Sequence, residues 1–434
     1  MLEALKEILL DNQQRGPFTG TRRASRLESV TGKANICIGV RRCGKSTFMH
    51  QIIAGLEQAG VARENIAHVN FVDDRLHLLH ATGIGAVTEA YYSLYPEKKQ
   101  TQTVYFFFDE IQAIPEWEVF VERLMRTETC EVYITGSSAQ MLSREIATQM
   151  RGRSLSWEMF PFSFGEFLAH KGIDATAPFS SKSRMTVQKA FEAFWKSGGF
   201  PEVLDSSDRI RVKIHQEYFQ TILYRDIVER HDISHPKALR DLAYKLLDNA
   251  ASLYSINSLY GHLKSVAHNI QKSSVGQNLE WLEDSYFLFS VRLYDASISK
   301  SNANPKKIYC IDHALVTSIS SGILVNAGHL LENLVFTALR RKSASIFYYR
   351  SKSGKEVDFL AIQDRREKRM VQVCESLADG KTRKRELSAL WEAMAELQLT
   401  EAILVTRNES ETIETPTGRV QILPAWKFLL EQEA

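Results

Sequence analysis

The chain sets short, mostly apolar runs between longer stretches of helical spacing. Ala34-Asn-Ile-Cys-Ile-Gly-Val40, Ile66-Ala-His-Val-Asn-Phe-Val72, Val104-Tyr-Phe-Phe-Phe108 and Glu131-Val-Tyr-Ile-Thr135 lack a strict polar alternation, so they read as strands buried on both faces. Thr47 to Leu56 has apolar residues at helical spacing, and Met1 to Leu10 is an amphipathic helix. Buried strands alternating with helices predict an α/β fold: a parallel sheet with helices on both faces and its ligand crevice at the carboxyl ends of the strands.

Beyond residue 160 the pattern changes. Phe160 to about His231 is mostly helical by spacing, interrupted at Gly198-Gly-Phe-Pro201. Leu239–Leu247 and Ser255–Leu263 are two further helices, and the capping box Ser274-Val-Gly-Gln277 opens a third that runs through Asp284. Tyr286–Tyr294 and Lys306–Ile311 are strands joined by a loop from Asp295 to Pro305. Three helices and a hairpin give the order of a winged helix. From Ala327 the order is a helix bearing Glu332, a strand at 346–349, a strand at 355–362 with Asp358, a third at 370–374, a helix at 385–397, and strands at 401–405 and 420–423. The expected domains are 1–160, a helical lid at 161–236, a winged helix at 237–326 and an α/β domain at 327–434.

Composition narrows the class. A length of 434 residues with 44% hydrophobic content supports several packed cores and excludes a disordered chain. A net charge of +2 leaves no global basic footprint, so nucleic-acid binding needs a local patch. The five cysteines are scattered, without a C-x-x-C pair, and read as reduced intracellular thiols. The N-terminus lacks the basic-then-apolar order of a signal peptide, and no apolar run is long enough to span a bilayer. A cytoplasmic protein without membrane contact is expected.

The chemistry concentrates in Gly39-Val-Arg-Arg-Cys-Gly-Lys-Ser-Thr47, which fits G-x-x-x-x-G-K-[ST] between a strand and a helix. In such a loop Gly39, Arg41, Arg42, Cys43, Gly44, Lys45, Ser46 and Thr47 surround the phosphates of a nucleotide. The glycines let backbone N–H groups point inward, Lys45 supplies a point charge, and the Ser46 hydroxyl is a hard ligand for Mg²⁺. A helix N-terminus adds its positive dipole end. Asp109 and Glu110 emerge at the end of a buried strand, the Walker B arrangement. Asp109 is placed for the Mg²⁺ shell and Glu110 to orient and deprotonate the attacking water. Thr135 and Ser137 are the candidates for a polar group beside the terminal phosphate; spacing does not choose between them. Of Arg144, Arg151 and Arg153, Arg153 in Gln149-Met-Arg-Gly-Arg153 is favoured as a charge reaching the transferred phosphoryl, often from a neighbouring subunit.

These motifs, with Arg151 to Leu168, Gly198-Gly-Phe-Pro-Glu202 and Tyr224-Arg-Asp-Ile-Val228, resemble a family of bacterial and archaeal AAA-class ATPases whose AAA module is followed by a C-terminal domain of unknown function. The resemblance implies ATP as the nucleotide, nucleotide-driven conformational change and self-association. The order from residue 327 onward resembles the PD-(D/E)xK restriction-endonuclease and Holliday-resolvase fold. There Asp358 matches the first acid and Glu332 the helix acid, but Gln372-Val-Cys374 stands where that resemblance implies Glu-x-Lys. The domain therefore reads as inactive, kept for scaffolding or nucleic-acid binding.

The sequence thus supports an ATP- and Mg²⁺-dependent ATPase coupled to DNA. Lys300, Lys306 and Lys307 of the wing, Lys272 and Ser273 at the third helix, and Arg383, Lys384 and Arg385 are the candidate phosphate contacts. A nucleotide switch acting on a protein partner and an ATP-regulated nuclease are the competing readings.

Overall fold

The computed structural model describes residues 1–434 except 26, 78, 80–82, 138–147, 177–178, 321–325, 364–366 and 433–434. Arg144, one of the candidate arginines, lies outside the described residues. The chain divides into two compact units, Met1–Met159 and Phe160–Ala434.

The first unit is built on β1 (Ala34–Ile38), β2 (Ile66–Asn70), β3 (Val104–Asp109), β4 (Cys130–Gly136) and β5 (Ser154–Glu158). Their order is β2-β3-β4-β1-β5 and every pairing is parallel, so the expected α/β sheet is present. The apolar runs predict β1 to β4 because each is mostly buried: Phe106, Phe107 and Phe108 are fully buried, and Phe107 stacks on Tyr133 at 4.7 Å. The helix Lys45–Gln58 adds Met49 and Ile53 to the same cluster. β5 is the strand the apolar pattern misses. Ser-Leu-Ser-Trp-Glu is a half-covered edge strand with no apolar run to signal it.

In the second unit the helices Phe164–His170, Ser181–Ser197 and Asp208–Thr221 follow the predicted helical stretch. Ile222–Val228 then forms a π-helical segment, so the Tyr224-Arg-Asp-Ile-Val228 motif sits on wider-than-α backbone. Next come the helices Pro236–Asp248, Ile256–Ser265 and Lys272–Asp284. The third starts before the expected capping box: Gln271 is its N-cap, and Ser274 lies inside the helix. The loop expected from Asp295 to Pro305 contains a short helix, Ile298–Ala303.

A second sheet uses β6 (Leu253–Tyr254), β7 (Leu288–Leu293), β8 (Lys306–Cys310), β9 (Ser345–Arg350), β10 (Glu356–Gln363), β11 (Glu367–Val373), β12 (Glu401–Thr406), β13 (Glu411–Thr415) and β14 (Gly418–Pro424). Its order is β13-β14-β12-β11-β10-β9-β7-β8-β6. β7 pairs antiparallel with β8 and parallel with β9. The hairpin expected as a free wing is therefore continuous with the sheet of the C-terminal segment, across residues 326 and 327.

Gly198 and Gly199 explain the Gly-Gly-Phe-Pro motif. Asp312 accepts from the Gly199 N–H at 2.6 Å, and the Gly199 carbonyl accepts from the Phe162 N–H at 2.6 Å. A Cβ on Gly199 would stand 2.2 Å from the Phe162 carbonyl oxygen. Gly199→Ala should thus force backbone apart and cost about 1–3 kcal/mol, read as a lowered urea midpoint. Gly276, inside the helix Lys272–Asp284 with nothing within 4 Å of its Cβ position, is the counter-test. Gly276→Ala should stabilise by about 0.5–1 kcal/mol.

Candidate active site

β1 ends at Ile38, and the chain turns through Gly39 to Gly44 into the helix Lys45–Gln58. Arg42 (φ 68°) and Gly44 (φ 100°) take left-handed backbone, which produces the curl expected of this loop. Gly39 is needed for a different reason. Its missing Cβ would lie 2.0 Å from the carbonyl oxygen of Met159, at the exit of β5, where the Met159 N–H donates to Ile38 at 2.6 Å.

Lys45 is buried, and its ammonium donates to the Gly39 and Val40 carbonyls at 3.0 and 3.1 Å, which holds it over the loop. Burial alone would lower its pKa; Cys43, Glu110, Cys37 and Asp109 together raise it. Ser46 is exposed, Thr47 and Arg41 are half-buried, and Arg42 is exposed. Cys43 is fully buried, as suits an inert thiol. Its carbonyl accepts from Arg23 at 2.7 Å. Arg23, itself buried, thus braces the loop from the polar segment before β1, and no spacing in the sequence points to it.

β4 lies between β1 and β3, so its end stands between the loop and the Walker B acids. The fully buried Thr135 hydroxyl donates to Asp109 Oδ1 and accepts from the Glu110 N–H at 3.1 Å. One hydroxyl therefore fixes both the buried carboxylate of Asp109 and the left-handed turn at Glu110, φ 54°. Gln112 donates to Glu110 Oε2 and reaches Ser137 Oγ at 3.4 Å. Geometry thus separates the two polar candidates: Thr135 orders the acids directly, and Ser137 meets them only through Gln112. Gln112 escapes a reading of the sequence because a glutamine one turn past a strand carries no spacing signal.

Arg153 is not part of this group. Its carbonyl accepts from the Ala34 N–H at 2.8 Å, at the start of β1, whereas the phosphate loop leaves the end of β1. Five residues of strand separate those levels by roughly 16 Å. Arg151 is exposed and lies 3.9 Å from Glu122.

The donor set suits a divalent metal held mainly through phosphate: an exposed hydroxyl at Ser46 and a fixed carboxylate at Asp109, both hard oxygens. The His231 ring stacks on Trp281 at 4.6 Å. Among the described residues no three His, Cys, Asp or Glu side chains are grouped to hold a metal, the five cysteines are free, and no helix is long and apolar enough to cross a membrane.

Residues 31–168 match an AAA domain family, residues 188–323 a domain of unknown function (DUF8612) and residues 327–428 another (DUF4143). An uncharacterized protein of Methanocaldococcus jannaschii is 32% identical over 437 residues, covering 98% of this chain and 95% of that one. An uncharacterized protein of Haemophilus influenzae is 30% identical over 328 residues, 74% of this chain and 78% of its own. Among solved structures, a Walker-type ATPase of Pyrococcus abyssi shares 11% identity over 74% of this chain and 95% of its own, with a TM-score of 0.43. At that score nothing is carried from it to this chain.

Thr135→Val keeps the shape and removes both hydroxyl bonds. ATP turnover should fall about 10–100-fold, the size typical of losing a group that orients a metal ligand, while nucleotide affinity changes little. Steady-state kinetics beside equilibrium nucleotide binding checks this.

Proposed function

The chain belongs to the family of the uncharacterized Methanocaldococcus jannaschii protein and carries an AAA domain, and from that premise we propose that it is a Mg²⁺-dependent ATPase whose nucleotide state drives the second unit. The observation that carries the reading is the Thr135 hydroxyl joining Asp109 and Glu110 one strand away from the Lys45 loop. Lys45 and the loop N–H groups bind the phosphates of ATP and ADP, with Arg41, Arg42, Cys43, Gly44 and Thr47 forming the cradle. Ser46 and Asp109 would hold Mg²⁺, which when bound supplies positive charge against the phosphate oxygens. Glu110 accepts the proton of the attacking water.

Arg153 enters this reading only as a group acting on a neighbouring chain's nucleotide, because its own loop leaves the other edge of the sheet. A homo-oligomer is therefore part of the proposal. Neither Lys45→Ala nor Arg153→Ala chains should turn over ATP alone at more than about a hundredth of the wild-type rate. An equimolar mixture should recover activity, because each chain supplies what the other lacks. No recovery would confine Arg153 to a local structural role.

The partner we propose for the second unit is DNA, held through the remaining basic groups. The candidates are now fewer. Lys307 is buried and bonded to carboxylates, which corrects the expectation that it approaches phosphates. Arg383 pairs with Glu411 at 2.7 Å, and Arg385 bonds to Glu386. Lys272, Lys300 and Lys384 remain exposed, with Lys306 half-buried. The same pairings favour the second reading, a nucleotide switch acting on a protein. The finer partition into 161–236, 237–326 and 327–434 belongs to this proposal.

Duplex, single-stranded and branched DNA should each be tested for stimulation of turnover. The combined Lys272→Ala, Lys300→Ala, Lys306→Ala variant should lower DNA affinity and reduce the salt slope by about one for each phosphate it no longer neutralises. Unchanged DNA affinity in that variant, with turnover indifferent to DNA, selects the protein-partnered switch.

A further inference from the structure

The second unit holds a buried charge cluster that the nucleotide chemistry does not use. Lys307, on β8, donates to Asp358 Oδ1 at 2.8 Å and to Glu332 Oε1 at 3.0 Å, and Glu356 Oε1 forms an ion pair with the same ammonium at 3.0 Å. Lys307, Glu332 and Asp358 are all buried, and Glu356 is half-buried. Three carboxylates thus surround one ammonium, and two of them accept its hydrogen bonds. The surroundings complete the network. Tyr309 donates to Glu332 at 2.6 Å, and the Val373 N–H donates to Asp358 Oδ2 at 3.0 Å. Gln372 accepts from the Asp358 N–H at 3.0 Å and donates to Glu386 at 2.8 Å.

Charge is balanced within the cluster. Burial alone would lower the Lys307 ammonium; Asp358, Tyr309, Glu332 and Glu356 hold it well above its ordinary value. Burial and the charge of Asp358 push Glu332 up to about 8, against the pull of Lys307. Arg350 supplies a second cation to Glu356 at 3.2 Å. Two cations thus face three carboxyl groups, one of which is inclined to keep its proton.

Asp358 and Glu332 are the acids that the sequence placed at a metal centre lacking its lysine. A lysine is present, but it comes from β8 and its ammonium is committed to the carboxylates. We propose that Lys307 is the resident cation of this cluster, that with it in place Asp358, Glu332 and Glu356 are not free to gather a metal, and that it holds the site shut while tying β8 to β10 and to the helix Ala327–Arg340. With three carboxylates within 3.0 Å of its Nζ, Lys307 is held to the acids as their counter-ion, so the cluster is a closed lock and no phosphodiester-cleaving site. This lock is independent of ATP hydrolysis and stands or falls separately from it.

The test is Mn²⁺ binding to the full chain without nucleotide, followed by electron paramagnetic resonance, in wild type, Lys307→Met and Lys307→Gln. Any Mn²⁺ held at Ser46 and Asp109 is common to all and cancels. Removing the ammonium leaves carboxylates without their cation, so each Lys307 variant should bind one further Mn²⁺ per chain. That site should disappear when Asp358→Asn is added. Mn²⁺ should also raise the melting temperature of the Lys307 variants above its effect on wild type. A variant that folds only with Mn²⁺ present supports the lock equally. The proposal is overturned if the variants bind no more Mn²⁺ than wild type, or fail to fold even with Mn²⁺. It is overturned too if wild type already holds an Asp358-dependent Mn²⁺, or cleaves DNA with metal and loses that activity in Lys307→Met.

Discussion

A parallel sheet releases all its chains at one edge, and the chemistry of the first unit depends on that constraint. β1 delivers the phosphate loop, β3 delivers Asp109 and Glu110, and β4, between them, delivers Thr135 to the same edge. The hydroxyl of Thr135 then replaces water for the Asp109 carboxylate and the Glu110 N–H in a place water does not reach. A buried carboxylate without such a partner would be left uncompensated, and its orientation toward a metal unfixed. The same geometry sends Arg153 to the opposite edge, at the start of β1.

The second unit applies the same electrostatic rule to a different end. Removing one partner from a buried ion cluster leaves charges without compensation, so such clusters persist only when every member is satisfied. Lys307, Glu332, Asp358, Gln372 and Glu386 form one continuous network from β8 to the helix Gly380–Leu397. The hairpin β7–β8 is joined to this sheet both by the β7–β9 pairing and by the lysine. That double attachment leaves the hairpin less free than a wing that enters a groove in DNA.

The first unit is legible in the sequence because each of its parts is local. A glycine-rich loop between strand and helix, and two acids after five apolar residues, are contiguous signals, and the inner strands are covered on both faces. What long-range pairing decides is hidden from the sequence. Gly39 owes its identity to Met159, 120 residues away, and Arg23 reaches Cys43 across the loop. β5 is an edge strand without an apolar run. Lys307 reads as a wing lysine beside Lys306, because alternation along a strand turns neighbours to opposite faces and the covered face is known only from the fold. The motif of the C-terminal segment asks for its lysine at Cys374, whereas a lysine reaches those acids from 51 residues before Asp358.

The most direct test of the central claim separates binding from hydrolysis at the two ends of the site. Wild type, Lys45→Ala and Glu110→Gln are compared for ATP affinity and for phosphate release under the same Mg²⁺ concentration. The account predicts that Lys45→Ala loses affinity, while Glu110→Gln keeps it and releases phosphate about 10²–10⁴ times more slowly. Equal phosphate release by wild type and Glu110→Gln, or no release by wild type with ATP bound, would contradict it.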